Sequence, residues 1–520
     1  MRVRNRWGWG FEDAAISTVD ARAAAPGLVA LLGFGETEPE EPVAPETIEL
    51  PPPRLRCPPH LRGICTDDDA VRAGHARGQS YLDTVRGLRG RYAHVPDLVA
   101  RPRDRREIEA VLEWAGGANA AVVPYGGGTS VVGGVEPRIP DRFDGAVTVD
   151  LQALDAVREV DPISRAARIG AGASGPRIEE QLAAHGLTLR FFPQSFELST
   201  LGGWIATRAG GHFATHLTHI DDLVESVRAV GPTGHWVSRR LPGSGAGPSP
   251  DRLLLGSEGI LGVITEAWVR VRPRPVHRAG RAVRFASFLA GADAVRALAQ
   301  SELDPANCRL IDALEAAQTG AGDGSEALLT LGFESADHPV DPWLDRALAI
   351  CREHGGRYEE PGDDRALGSW REAFLRMPYL RDLLVRLGVF IDTFESAVTW
   401  ERFPAFHAAV TGAVEAALGE PCRVTCRLTH VYPDGPAPYF TVLAPARRGE
   451  EEAQWHEMKA AAGRAILDAG GTITHHHGVG RDHRPWYDAQ RPDAFAAALR
   501  AAKHALDPAG LLNPGVLIDP

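Results

Sequence analysis

From Pro124 to Gly134 the chain reads PYGGGTSVVGG, directly after the apolar run AAVV at Ala120–Val123. A short apolar run entering a glycine cluster predicts a buried strand that ends in a loop. Without Cβ atoms, Gly126, Gly127 and Gly128 let successive backbone N–H groups turn towards one point, which makes an anion cradle. Two common phosphate loops are excluded by spacing. The P-loop pattern would need Lys and Ser/Thr where Gly134 and Val135 stand, and the dinucleotide pattern G-x-G-x-x-G places its last glycine at Val131.

Two further loops rich in glycine and hydroxyl groups follow, PQSFELSTLGGWIATRAGG at 193–211 and GSEGILGVIT at 256–265. One glycine cluster alone is a tight turn in most chains. Three in succession predict a wrap around a long phosphorylated cofactor.

The rest of the chain fits a loop-rich globular enzyme. Its 520 residues exceed one compact core and suggest roughly two to four domains. Net charge is −12 and there is no basic run, so nucleic acid is not an expected partner. The six cysteines form no C-x-x-C pair, and no apolar run reaches membrane-spanning length, which predicts a cytoplasmic protein. ETEPEEPVAPETIE at 36–49 reads as a surface strap. Asp104 and Glu107 form a capping pair for a helix ending at Gly116. Pro176 opens a second helix that Gly186 closes, and Val263, Thr265, Ala267, Val269 and Val271 alternate as a strand.

The order of the three loops resembles the vanillyl-alcohol oxidase type of FAD-binding domain. Across almost its whole length the chain resembles the alkylglycerone-phosphate synthase family within that type, on RNRWGWGFED, CRLID, YLRDLL, DTFESAVTW, CRLTHVYPDGPAPYF and HHHGVGRDHRPW in that order. The resemblance implies an α+β flavoprotein: an extension over 1–93, an FAD domain of the PCMH type over 94–274, an α/β cap over 275–465, and a segment over 466–520 returning to the flavin. It also implies non-covalent FAD lined by Pro124, Tyr125, Gly126, Gly127, Gly128, Thr129 and Ser130. Pro193, Gln194, Ser195, Ser199, Thr200, Gly202 and Gly203 join them, with Ala206, Thr207, Arg208 and Ala209, and Glu258, Gly259, Gly262, Val263 and Ile264. GGHFATHLTHIDD at 210–222 is composed differently from the family's loop.

The implied reaction exchanges the acyl chain of an acylglycerone phosphate for a fatty alcohol, with no net redox change. In the family a proton leaves C1, the flavin bonds to that carbon and the carboxylate departs. Arg381, Arg309 and Arg427 are the implied phosphate holders, which suits the planar guanidinium fork. Tyr439, His475, His476 and His477 are the implied acid–base groups, since imidazole titrates near neutrality. The substrate is a small lipid, with a homodimer and peripheral membrane contact implied by the family. Nothing resembles the presequence of eukaryotic synthases, so the chain reads as bacterial.

The alternative is an FAD-dependent 2-hydroxy-acid dehydrogenase of the D-lactate or glycolate type; a flavin binder without catalysis is a third reading. Such dehydrogenases carry Glu-His-Gly and a histidine pair as a metal site. Here His476 replaces the glutamate, only His430 of the pair remains, and Tyr439 stands near the second histidine's place. A carboxylate-poor set suits no hard metal, so no metal is expected, with zinc on histidines alone as the alternative. Read as an extended strand, 475–477 would send His475 and His477 to one face and His476 to the other.

Overall fold

The computed structural model describes residues 3–359 and 376–519. The strand expected before the glycine loop is Ala120–Tyr125, paired in parallel with Gly145–Asp150, which pairs in parallel with Leu98–Ala100. The helix Arg105–Gly117 buries Ile108, Val111, Leu112 and Ala115 against this sheet, the i, i+3, i+4, i+7 stripe read from the sequence. Asp104 caps it by accepting from the Glu107 amide. Glu107 turns its carboxylate to Arg103 rather than closing a capping box, because a guanidinium lies within 3.1 Å.

A second sheet is antiparallel, in the order Val157–Asp161, Ala166–Gly170, Val263–Arg270, Val224–Gly231, Gly234–Val237. In its central strand Val263, Ala267 and Val269 are buried, and the helix Gly175–Ala183 covers its inner layer with Ile178 and Leu182. Between these two sheets run the three glycine-rich loops.

The third sheet holds six antiparallel strands, ordered His277–Phe285, Ala327–Ser335, Asn307–Ile311, Arg423–Val431, Pro436–Pro445, Val389–Glu395. Helices Phe288–Ala299, Asp341–Glu353, Phe403–Leu418 and Glu451–Asp468 share one core with it through Val295, Ala347, Phe406 and Met458. Register then fixes the cleft wall. Arg427 lies opposite Tyr439 and Tyr439 opposite Glu395, so the three share a face.

The tail comes back to the first sheet. Asn513 donates to the Val122 carbonyl, and buried Lys503 binds Asp507 at 2.6 Å and the carbonyls of Ile260 and Leu512. The acidic strap lies along the surface, clasped by ion pairs from Glu36 to Arg448 and from Glu40 to Arg89.

Candidate functional site

One cleft opens between the glycine loops and the cap sheet. Gly126, Gly127, Gly128, Thr129, Ser130, Pro193, Gln194, Ser195, Ser199, Thr200, Gly203, Thr207 and Ala209 line it on one side, and Arg309, Arg381, Arg427, Tyr439, His476 and His477 on the other. Trp9 and Tyr81 also reach it, so the amino-terminal stretch contributes to the wall.

The glycines are required by packing. A Cβ on Gly127 would stand 1.9 Å from the Leu198 carbonyl oxygen, and one on Gly126 2.3 Å from Thr200 Oγ1. Among the described residues the amides of Gly126–Ser130 donate to no protein carbonyl, and so remain for an anion. A strip of unpaired N–H donors between close-packed loops fits the pyrophosphate of a dinucleotide such as FAD.

Other residues expected at the cofactor stand behind the cleft. The Tyr125 ring packs on His75, Gly202 abuts Ala171 and Gly259 abuts Pro124. Val263 and Ile264 lie in the sheet core, and Gly262 approaches Val230. Ala206 accepts the Glu258 amide, and Arg208 pairs with Asp221 at 2.8 Å. Glu258 sends its carboxylate to the Val479 and Gly480 amides at 2.7 and 2.8 Å. These residues shape the loops.

The three histidines form no strand. Segment 474–477 curls around the carboxylate of Glu395, which accepts from the amides of His475, His476 (3.2 Å) and His477 (2.9 Å) and from Thr474 Oγ1 (2.6 Å). Strand alternation therefore gives the wrong partition. His476 and His477 face the cleft, and His475 turns away to His219 and Tyr432. The cause is a buried anion that draws three successive amides to one side, which no extended strand allows.

Burial pushes the Glu395 carboxyl up, but His476, His477 and His475 and the Thr474 hydroxyl hold it well below the usual carboxylate range. Burial holds His475 and His476 well below the usual imidazole range, so both are neutral at neutral pH. Tyr439 donates to Thr393 Oγ1 at 3.1 Å, and its ring stacks over His476. Ring nitrogens of His430, His475 and His476 lie within 4.8 Å of one another. Three imidazoles so spaced could share an ion, but here His430 Nε2 contacts the Gly211 carbonyl at 3.1 Å and His475 contacts His219 and Tyr432.

The three arginines converge, in different states. Arg427 pairs with Glu315 at 2.9 Å and lies over the Tyr439 ring. Burial, then the charge of Arg427, pulls Arg309 down to about 9. Arg381, on helix 376–386, donates to the Gln79 carbonyl at 2.5 Å and to Asp382 at 3.1 Å. Sequence reasoning missed Glu395, although it sits inside DTFESAVTW, and it missed Tyr432 and His219. The signal available for Glu395 was a second acid, after Asp392, in the largely apolar strand Val389–Glu395.

Comparison with known proteins places the fold and the family. A model described as FAD binding domain matches residues 96–239, and one described as FAD linked oxidases, C-terminal domain, matches 274–517. The alkyldihydroxyacetonephosphate synthase of Dictyostelium discoideum is 30% identical over 87% of this chain and 78% of its own. That of Trypanosoma brucei brucei is 29% identical over 90% and 82%. These relatives are eukaryotic and lend no support to a bacterial source. A mitochondrial D-lactate dehydrogenase of Arabidopsis thaliana is more distant, at 26% over 82% and 74%. A solved alkyldihydroxyacetonephosphate synthase superposes with a TM-score of 0.81 at 25% identity, covering 98% of this chain and 97% of that one. The chain belongs to the alkyldihydroxyacetonephosphate synthase family.

Proposed function

We propose that the protein is an FAD-dependent alkylglycerone-phosphate synthase, replacing the acyl chain of an acylglycerone phosphate by a fatty alcohol. The observation that carries this reading is the joining, in one cleft, of an anion cradle, a guanidinium cluster and neutral imidazoles backed by a buried carboxylate. Bound FAD, held non-covalently, supplies the electron sink at which C1 is activated. Arg427 pairs with Glu315, Arg309 lines the same cleft, and the planar forks of their guanidinium groups suit a phosphate. Arg381, held by Gln79 and Asp382, lines the same cleft and adds a third guanidinium to this cluster. His476, neutral at neutral pH, can take the C1 proton, and Tyr439 with His477 borders the same space. A homodimer that draws lipid from a membrane surface belongs to the same reading, as do the domain limits near 94, 274 and 465; among the described residues no helix is long and apolar enough to cross a membrane.

The test is anaerobic incubation of the yellow protein with acylglycerone phosphate and a long-chain alcohol, followed by lipid analysis. Alkyl product should form without an electron acceptor and survive prolonged chelation. Arg381→Lys should raise KM about 10-fold or more with flavin content unchanged, because the fork is lost and the charge kept. Bleaching by a 2-hydroxy acid, with no exchange, would favour the dehydrogenase reading that His430 and the more distant relatives keep as second choice.

A further inference from the structure

The loop 210–222 brings a fourth histidine to the three. His219 Nε2 lies 3.0 Å from His475 Nε2, and on the other side of that ring His475 Nδ1 lies 3.0 Å from His476 Nδ1. His476 lines the cleft, while His219 is only partly buried. The loop is fixed in place: the Gly211 amide donates to the Thr218 carbonyl at 2.7 Å, the Ile220 amide to the Ala209 carbonyl at 3.0 Å, and the His219 amide to Asp222 at 3.3 Å.

One contact sets the protons of the whole row. His219 Nδ1 lies 2.9 Å from the Arg208 carbonyl, which can only accept, so Nδ1 carries the hydrogen and Nε2 is left as acceptor. His475 must then carry its hydrogen on Nε2 and accept at Nδ1. His476 in turn carries its hydrogen on Nδ1, which leaves Nε2 as the basic nitrogen of a ring that borders the cleft. Tyr432 Oη stands 2.7 Å from His475 Nε2 and 3.0 Å from Thr218 Oγ1, which steadies the middle ring.

We propose that His476, His475 and His219 form a proton relay from the cleft to solvent, with His219 as its outer end. Resting on the synthase reading, the C1–H bond breaks with its electron pair left on the substrate, and His476 Nε2 takes the proton. The Nδ1 hydrogen of His476 passes to His475 Nδ1, the Nε2 hydrogen of His475 passes to His219 Nε2, and the imidazolium at His219 gives a proton to water. The exchange later returns a proton to C1, and reverse passage restores every tautomer. The proton taken from C1 is thus balanced, while the hydroxyl proton of the entering alcohol is released, one for each carboxylate that departs.

The FAD-loaded enzyme is given acylglycerone phosphate deuterated at C1 in ordinary water. Wild type should lose the label, whereas His219→Phe should keep most of it and turn over about 10-fold or more slowly, with unchanged flavin content. His219→Gly should regain both turnover and label loss when imidazole is added, which a packing role would not show. Full label loss at the wild-type rate in His219→Phe, or no rescue of a slow His219→Gly, overturns the relay. Nitrogen-15 NMR of histidine-labelled holoprotein reads the tautomers whether or not the enzyme turns over. Hydrogen on Nδ1 of His219, Nε2 of His475 and Nδ1 of His476 is expected, and any other pattern overturns the relay. A wild type that makes no alkyl product while showing these tautomers would defeat the synthase reading instead.

Discussion

Two buried glutamates hold neighbouring turns of the same carboxyl-terminal loop, and they ionise in opposite ways. Glu395 binds three amides and a hydroxyl at 474–477, among imidazoles, and its carboxyl lies well below the usual range. Among the described residues the Glu258 carboxylate binds just the amides of Val479 and Gly480, and burial pushes it up to about 7 against those two donors. Burial alone makes a carboxyl resist charge; converging donors and ionisable rings reverse that. The histidines that face the cleft are thus seated on a fixed charge, and the turn beside them on one that titrates near neutrality.

Replacing the fixed charge should do most damage. In Glu395→Gln, one side-chain oxygen must serve donors that now surround two, and an NH2 group faces amide hydrogens. A stability loss of about 3–5 kcal/mol is expected from breaking a buried charged network. Exchange activity should fall about 100-fold or more. Urea unfolding and lipid product analysis check both. A variant that keeps wild-type stability would show that the loop holds its shape without the anion.

Glu258 should show itself as a pH dependence. Its folded value of about 7 stands above the ordinary carboxylate value of 4.5, so the folded state binds the proton more tightly. The stability this gives is full below about 4.5 and is lost as pH rises through about 7, by up to about 3 kcal/mol. Glu395, shifted the other way, contributes stability above the usual carboxylate value and loses it only in acid. Melting curves of wild type and Glu258→Gln between pH 5 and 8 separate the two: their difference should change across this window in favour of the variant. Parallel curves would mean that Glu258 keeps an ordinary carboxylate value.

What the sequence showed and what it hid divide along the same line. The helix Arg105–Gly117 and the strand Val263–Arg270 were legible because their apolar period is local, and the glycine loops because steric demand is written in the residue itself. The partition of the histidines was not. It is set by Glu395, 80 residues before His475, whose place on the Tyr439 face follows from cross-strand register. His219 was hidden likewise, since its partner lies 256 residues further on.

The smallest expected effect separates the donors around Glu395. Thr474 gives a hydroxyl at 2.6 Å to Oε1, while the amides of His476 and His477 reach the same oxygen at 3.2 and 2.9 Å. In Thr474→Val the shape of the side chain is nearly kept and one donor to a charged acceptor is lost, which costs about 1.5–3 kcal/mol. The amides remain, so the loop should keep its curl. Turnover should fall by less than about 10-fold, with the label loss from C1 unchanged. A loss as large as that of Glu395→Gln would mean that the hydroxyl, rather than the row of amides, holds the charge. In that case Thr474→Ser, which restores the donor, should recover the wild-type melting temperature, and the amides would be followers of a geometry set by one side chain.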